Sequence, residues 1–157
     1  MKFLFFRHYW WVLPSILILV FISAYKTGFL IDFKFISAAL GTFLSSVYFV
    51  QKQRLEEVIL FREIFSECNQ RYNIINDEIN NIIRGDDLSV LTHKEKNLLD
   101  DYFNLCGEEY LYFKQGYIYP DVWAAWMNGM NSILNNKRIK QHWVKEKETG
   151  SFYGLPL

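Results

Sequence analysis

Three prolines, three histidines and two cysteines are all that this chain offers of the residues that build turns, metal sites and disulfides. His8, His93 and His142 stand far apart, and none shares a zinc-type spacing with Cys68 or Cys106, so no metal site is expected. Both cysteines fall in helical, partly apolar patterns, which fits reduced thiols with a structural role in a cytosolic setting. A Gly-rich phosphate loop is missing, and so is any set of nucleophile, base and orienting residue. The acid pairs Asp100-Asp101 and Glu108-Glu109 are neighbours on a helix, where successive side chains point about 100° apart, so neither forms a joint carboxylate site. Neither an enzyme nor a cofactor is expected. Strand-type alternation persists nowhere, which leaves an all-α fold.

Charge is missing where its absence matters most. The runs Tyr9–Tyr25 and Phe35–Val50 contain no charged residue, and Lys26, Asp32 and Lys34 lie between them. Each run is slightly shorter than the ~20 apolar residues of a usual spanning helix, within reach of extension by flanking residues. A soluble core would not gather its most apolar residues in the first third of the chain. The expected organisation is a transmembrane hairpin over residues 1–50, with spans at about 9–25 and 35–50, then a cytosolic helical domain over 51–157. A signal peptide is the rival reading of the first run, with Lys2 and Arg7 as its positive region and Trp11–Ile22 as its apolar core. No small-x-small cleavage site follows, and a second apolar run soon arrives.

Lys2 and Arg7 precede the first run, and Lys52, Arg54 and Arg62 follow the second. The positive-inside bias therefore places both termini in the cytoplasm, with a short outer loop. Trp10 and Trp11 suit an inner interfacial belt and Tyr25 an outer one. Pro14 is expected in the first turns of span one, where a missing backbone donor costs least. Ser37, Gly41 and Ser45 recur every four residues and form a small-residue face that admits another helix closely. Its partner is either span one of the same hairpin or a second copy of the chain.

After span two, neither Pro nor Gly occurs before Gly85. Leu55, Val58, Phe61, Phe65, Cys68, Tyr72, Ile75, Ile79 and Ile82 recur at steps of three and four, nearly a heptad rhythm. Span two is expected to run on as one helix toward Arg84, with a possible break in the Asn-rich stretch Asn69–Asn76. Gly85-Asp86-Asp87 is a stop signal, and Thr92 with Glu95 forms a capping box. The helix opened there carries Leu98, Leu99, Tyr102, Phe103, Leu105, Cys106, Tyr110 and Phe113, and ends at Gly116. Glu109 lies close to that stripe and, if buried, needs a partner such as Arg71 or a tyrosine hydroxyl. Pro120 opens another helix, and Lys137–Lys147 forms a last, basic one before a non-helical tail.

Net charge is formally zero, but it is divided between an acidic middle, Asp86–Glu109, and a basic end. The stretch Asn135–Tyr153 interleaves cations with aromatic residues. Cations neutralise phosphates and flat side chains stack on bases. Lys137, Arg138, Lys140, His142 and Trp143 are therefore the candidate ligand-binding residues, for a small phosphate-rich nucleotide. A solvated basic helix and contact with anionic lipid are the alternatives.

The segment LLDDYFNLCGEEYLYFKQGYIYPDVWAAWMNGM, residues 98–130, resembles a helical core of small bacterial membrane-linked proteins of unassigned function. In layout and size the whole chain resembles the two-span, cyclic-tetraadenylate-activated membrane effectors of type III CRISPR antiviral defence. That resemblance implies a bacterial inner-membrane protein whose cytosolic domain forms a homo-oligomer, binds a cyclic oligoadenylate and alters membrane integrity. Its partners would be membrane lipid, further copies of itself and a cyclic oligonucleotide, and long nucleic acid is not expected. The rival function is a membrane-anchored scaffold whose helical bundle docks a protein partner.

Overall fold

The structure, a computed structural model, describes the backbone of residues 2–27, 33–85 and 90–157, and side chains in those ranges from residue 11 onward. The side chains of Lys2, Arg7, His8 and Trp10, residue Asp32 and the Asp86-Asp87 stop signal lie outside these described groups. Helices α1 (Lys2–Lys26), α2 (Phe33–Arg84), α3 (His93–Lys114), α4 (Pro120–Ile133) and α5 (Lys137–Lys147) make up the fold, with no strand among the described residues. The fold is all-helical. Two compact units divide the chain at Ile59 and Leu60, inside α2 and beyond the residue-50 boundary expected from hydropathy.

In the first unit, α1 lies beside the start of α2. Phe21 meets Phe35 edge to face at 5.8 Å. A groove of about 330 Å³ runs between Leu13, Ile16, Leu17 and Val20 on one side and Phe35, Ala39, Thr42 and Phe43 on the other. The Ser37–Gly41–Ser45 face is not used here. All three residues are exposed, and a Cβ built on Gly41 meets nothing within 4 Å. Of the two partners open to that face, the first helix of the same chain does not pack on it. The helical period puts it on the far side of α2 from the Phe35–Phe43 row, which offers α1 larger apolar side chains. Pro14 is corrected: α1 starts at Lys2, so the proline sits in the helix interior rather than its first turns.

Two hydroxyls on this part of α2 bond to its own backbone. Thr42 Oγ1 donates to the Ala38 carbonyl at 2.9 Å and Ser46 Oγ to the Thr42 carbonyl at 2.8 Å, so neither hydroxyl needs water. Helix α2 is long and apolar enough to cross a membrane, and only 6 % of its apolar window is buried, unlike the core helix of a soluble domain. Trp11–Lys26 is a shorter apolar helix, and Trp11, Leu19 and Tyr25 are exposed on it.

The second unit has a conventional core. Cys68, Ile79 and Ile82 of α2 join Leu99, Phe103, Leu105 and Cys106 of α3, Trp123 and Met130 of α4, and Ile139 and Trp143 of α5. Rings order the seams: Phe65 stacks on Trp126 at 5.8 Å, and Phe113 on Trp123 at 5.0 Å. The Asn-rich stretch does not break α2. Asn69 donates its side-chain amide to the Phe65 carbonyl at 2.6 Å and Asn80 to Asn76 Oδ1 at 3.1 Å, both within the helix. The capping box forms as expected, with Thr92 N–H donating to Glu95 Oε2 at 2.7 Å and Glu95 N–H to Thr92 Oγ1 at 3.3 Å. Pro120 stands at the start of α4, and Asn136 caps α5 by accepting from the Arg138 and Ile139 amides. The tail is non-helical yet part of the core, since Phe152 and Leu155 are buried. It packs over Gly107, where a Cβ would stand 3.4 Å from the Phe152 Cα, an ordinary contact.

Candidate functional site

Helix α5 carries all five residues singled out as a nucleotide site, and it turns them in different directions. Lys137 and Lys140 are exposed. Arg138 is only 7 % exposed and serves the fold. Its Nη2 donates to Glu95 Oε1 at 3.2 Å and its Nη1 to the Ile82 carbonyl at 3.5 Å, joining the end of α2, the start of α3 and α5. Thr92 and then Arg138 hold the Glu95 carboxyl below its usual range. His142 Nε2 meets Asp100 Oδ1 at 2.7 Å. Trp143, 2 % exposed, lies against Phe103 at 4.9 Å and Phe152 at 5.0 Å, so its ring faces are taken up by the core. Its buried Nε1–H has no acceptor among the described residues.

Two open grooves flank α5. One, of about 720 Å³, is lined by Asn128, Asn131, Asn135, Lys140 and Lys147 with Trp143 at its wall. Lys147 reaches the Leu157 carbonyl and lies 5.9 Å from the Trp143 ring centroid. The other groove, of about 590 Å³, brings Arg138 and His142 together with His93, Lys96, Asp100, Lys145 and Glu146. In it Asp100, His142 and Glu146 place one donor atom each within 4.8 Å of one another. This is a donor set of the type that holds divalent transition metals. Sequence spacing did not show it, because Asp100 reaches the pair on α5 from a different helix. The five expected residues are thus split: Lys140 and Trp143 line the first groove, Arg138 and His142 the second, and Lys137 lines neither.

The paired acids of α3 also separate. Glu108 pairs with Arg71 of α2 in a bidentate contact whose second bond is 3.3 Å. Glu109 is 7 % exposed and makes no side-chain hydrogen bond among the described residues, so the expected link to Arg71 or a tyrosine is not made. It lines a cavity of about 170 Å³ between α2, α3 and α4, with Asn69, Tyr72, Tyr102, Trp126 and Met130. Burial pushes its carboxyl up to about 8, against the opposing pull of the nearby Arg71 charge. Burial likewise raises the Cys68 thiol to about 12 and the Tyr102 hydroxyl above its usual range, so neither is a ready nucleophile. Comparison with protein families, with curated proteins and with solved structures finds no match for this chain.

Proposed function

We propose that this chain is a membrane-anchored scaffold that assembles with copies of itself, its first unit a hairpin in the bilayer and its second a cytosolic helical docking domain. One observation carries the reading: the apolar window of α2 is 6 % buried, while the apolar side chains of the second unit close over a continuous core. Exposed aliphatic surface on that scale is stable in lipid or against another helix, not in water. Below the apolar run, Leu55, Val58 and Ile59 are again exposed on α2, which favours association of α2 with a second copy. With both termini on the cytoplasmic side, Lys52 and Arg54 stand at the inner interface. The full chain should therefore float with vesicles after alkaline extraction and cross-link to itself in maltoside micelles. Extraction into the aqueous phase as a monomer would overturn the reading.

The groove that Lys140 and Lys147 line favours a second reading, an inner-membrane antiviral effector that responds to a cyclic oligoadenylate. In this reading the lysines meet phosphate, and the asparagines of α4 hydrogen-bond the bases. Trp143 acts from within the core by holding the groove wall rather than by stacking. Titration of cyclic tetraadenylate into the full chain decides it: binding that weakens with salt and is lost in a Lys140→Glu/Lys147→Glu variant supports it, and absence of binding removes it.

A further inference from the structure

The Glu109 cavity brings an acidic side chain and several aromatic ones together between α2, α3 and α4. Glu109, a residue 7 % exposed, lines it, and its carboxyl makes no hydrogen bond among the described residues. Glu108, beside it in sequence, already takes the Arg71 guanidinium. Its walls are Tyr72 from α2, Tyr102 from α3 and Trp126 from α4. A carboxylate and aromatic side chains lining one cavity suit an alkylated ammonium, because ring quadrupoles and the carboxylate attract the same charge. At about 170 Å³ the space is below the ~300–1,000 Å³ of a drug-sized pocket, which excludes a nucleotide and suits a headgroup of a few heavy atoms.

We propose that the cavity beside Glu109 binds a small organic ammonium ion, whose charge the Glu109 carboxylate meets and whose alkyl groups rest on Tyr72, Tyr102 and Trp126. Binding is coupled to the loss of a proton. The charged and titratable groups around Glu109 are Arg71, Cys68 and Tyr72 from α2, and Glu108, Cys106 and Tyr102 from α3. Helix α4 gives the cavity Ala125, Trp126, Gly129, Met130 and Ile133, none of them ionisable. Arg71 is engaged with Glu108, so Glu109 is the group that releases the proton when the cation enters.

Calorimetric titration of the full chain in maltoside micelles tests this with choline and with 3,3-dimethylbutanol, its neutral isostere. Choline should bind saturably, about tenfold or more tighter than the alcohol, given the strength of a desolvated cation–π and carboxylate site. Its affinity should rise between pH 6 and pH 8.5. Glu109→Gln, which keeps the shape and removes the charge, should weaken choline by a similar factor and leave the alcohol unchanged. Equal binding of choline and alcohol, or no saturable choline binding at all, would overturn the proposal. Both comparisons use the unaltered protein, so they decide the matter even if the variant folds poorly.

Discussion

Glu109 ties the stability of the fold to pH through a single side chain. Its carboxyl is raised to about 8 by burial, against about 4.5 when unfolded, so the folded state holds a proton that the unfolded state releases across this window. The stability this lends is complete below the unfolded value and is lost as pH rises through 8. The unfolding free energy of the full chain in micelles should therefore fall from pH 5 to pH 8, by up to roughly 1.4 kcal/mol per pH unit, read as a falling thermal midpoint. The Glu109→Gln variant should lose that dependence and be the more stable of the two at pH 8. Trp143 invites a second test. Buried against Phe103 and Phe152, it should cost about 3–5 kcal/mol on truncation to Ala, read as a lowered unfolding midpoint. The sequence placed Trp143 among cations and so suggested an exposed stacking ring. On the basic helix, however, Ile139 and Trp143 are four residues apart and together form its apolar stripe, a signal outweighed by the neighbouring lysines. Glu109 was legible as a buried acid, but its missing partner was not, since choosing between Glu108 and Glu109 for Arg71 depends on helix phase across two elements.

Among the elements, those with chemical punctuation could be read from the sequence. The Thr92–Glu95 box, Pro120 and the bounds of the basic helix are local signals, and the structure has them where they were expected. What depends on contacts between elements was not legible. The non-helical tail gave no sign that Phe152 would close the core over Gly107, and Asp100 gave none that it would meet His142 and Glu146. The asparagines of α2 were a plausible break until their amides could be seen bonding within their own helix. The small-residue face of α2 supports a prediction at this scale. Because nothing lies within 4 Å of a Cβ at Gly41, Gly41→Leu should leave the helical content and thermal midpoint of the full chain unchanged. If that face packs between copies, the same change should reduce self-cross-linking in the membrane severalfold, since a bulky residue holds helices apart. Unchanged cross-linking would assign self-association to the exposed Leu55–Ile59 stretch instead.

For the whole molecule, the all-helical class and the contrast between an apolar N-terminal third and a cored remainder were present in the sequence. Of the two expected spans, α2 meets the length and apolarity of a membrane-crossing helix, while Trp11–Lys26 is shorter, so the proposed hairpin topology needs the most direct test. The chain suits a thiol-accessibility measurement, because its native Cys68 and Cys106 are both buried and should stay silent. A membrane-impermeant maleimide would be applied to bacterial spheroplasts expressing Thr27→Cys or Lys145→Cys. In a hairpin with both termini inside, Thr27→Cys labels in intact spheroplasts and Lys145→Cys labels only after lysis. Labelling of both positions before lysis, or of neither, would contradict it.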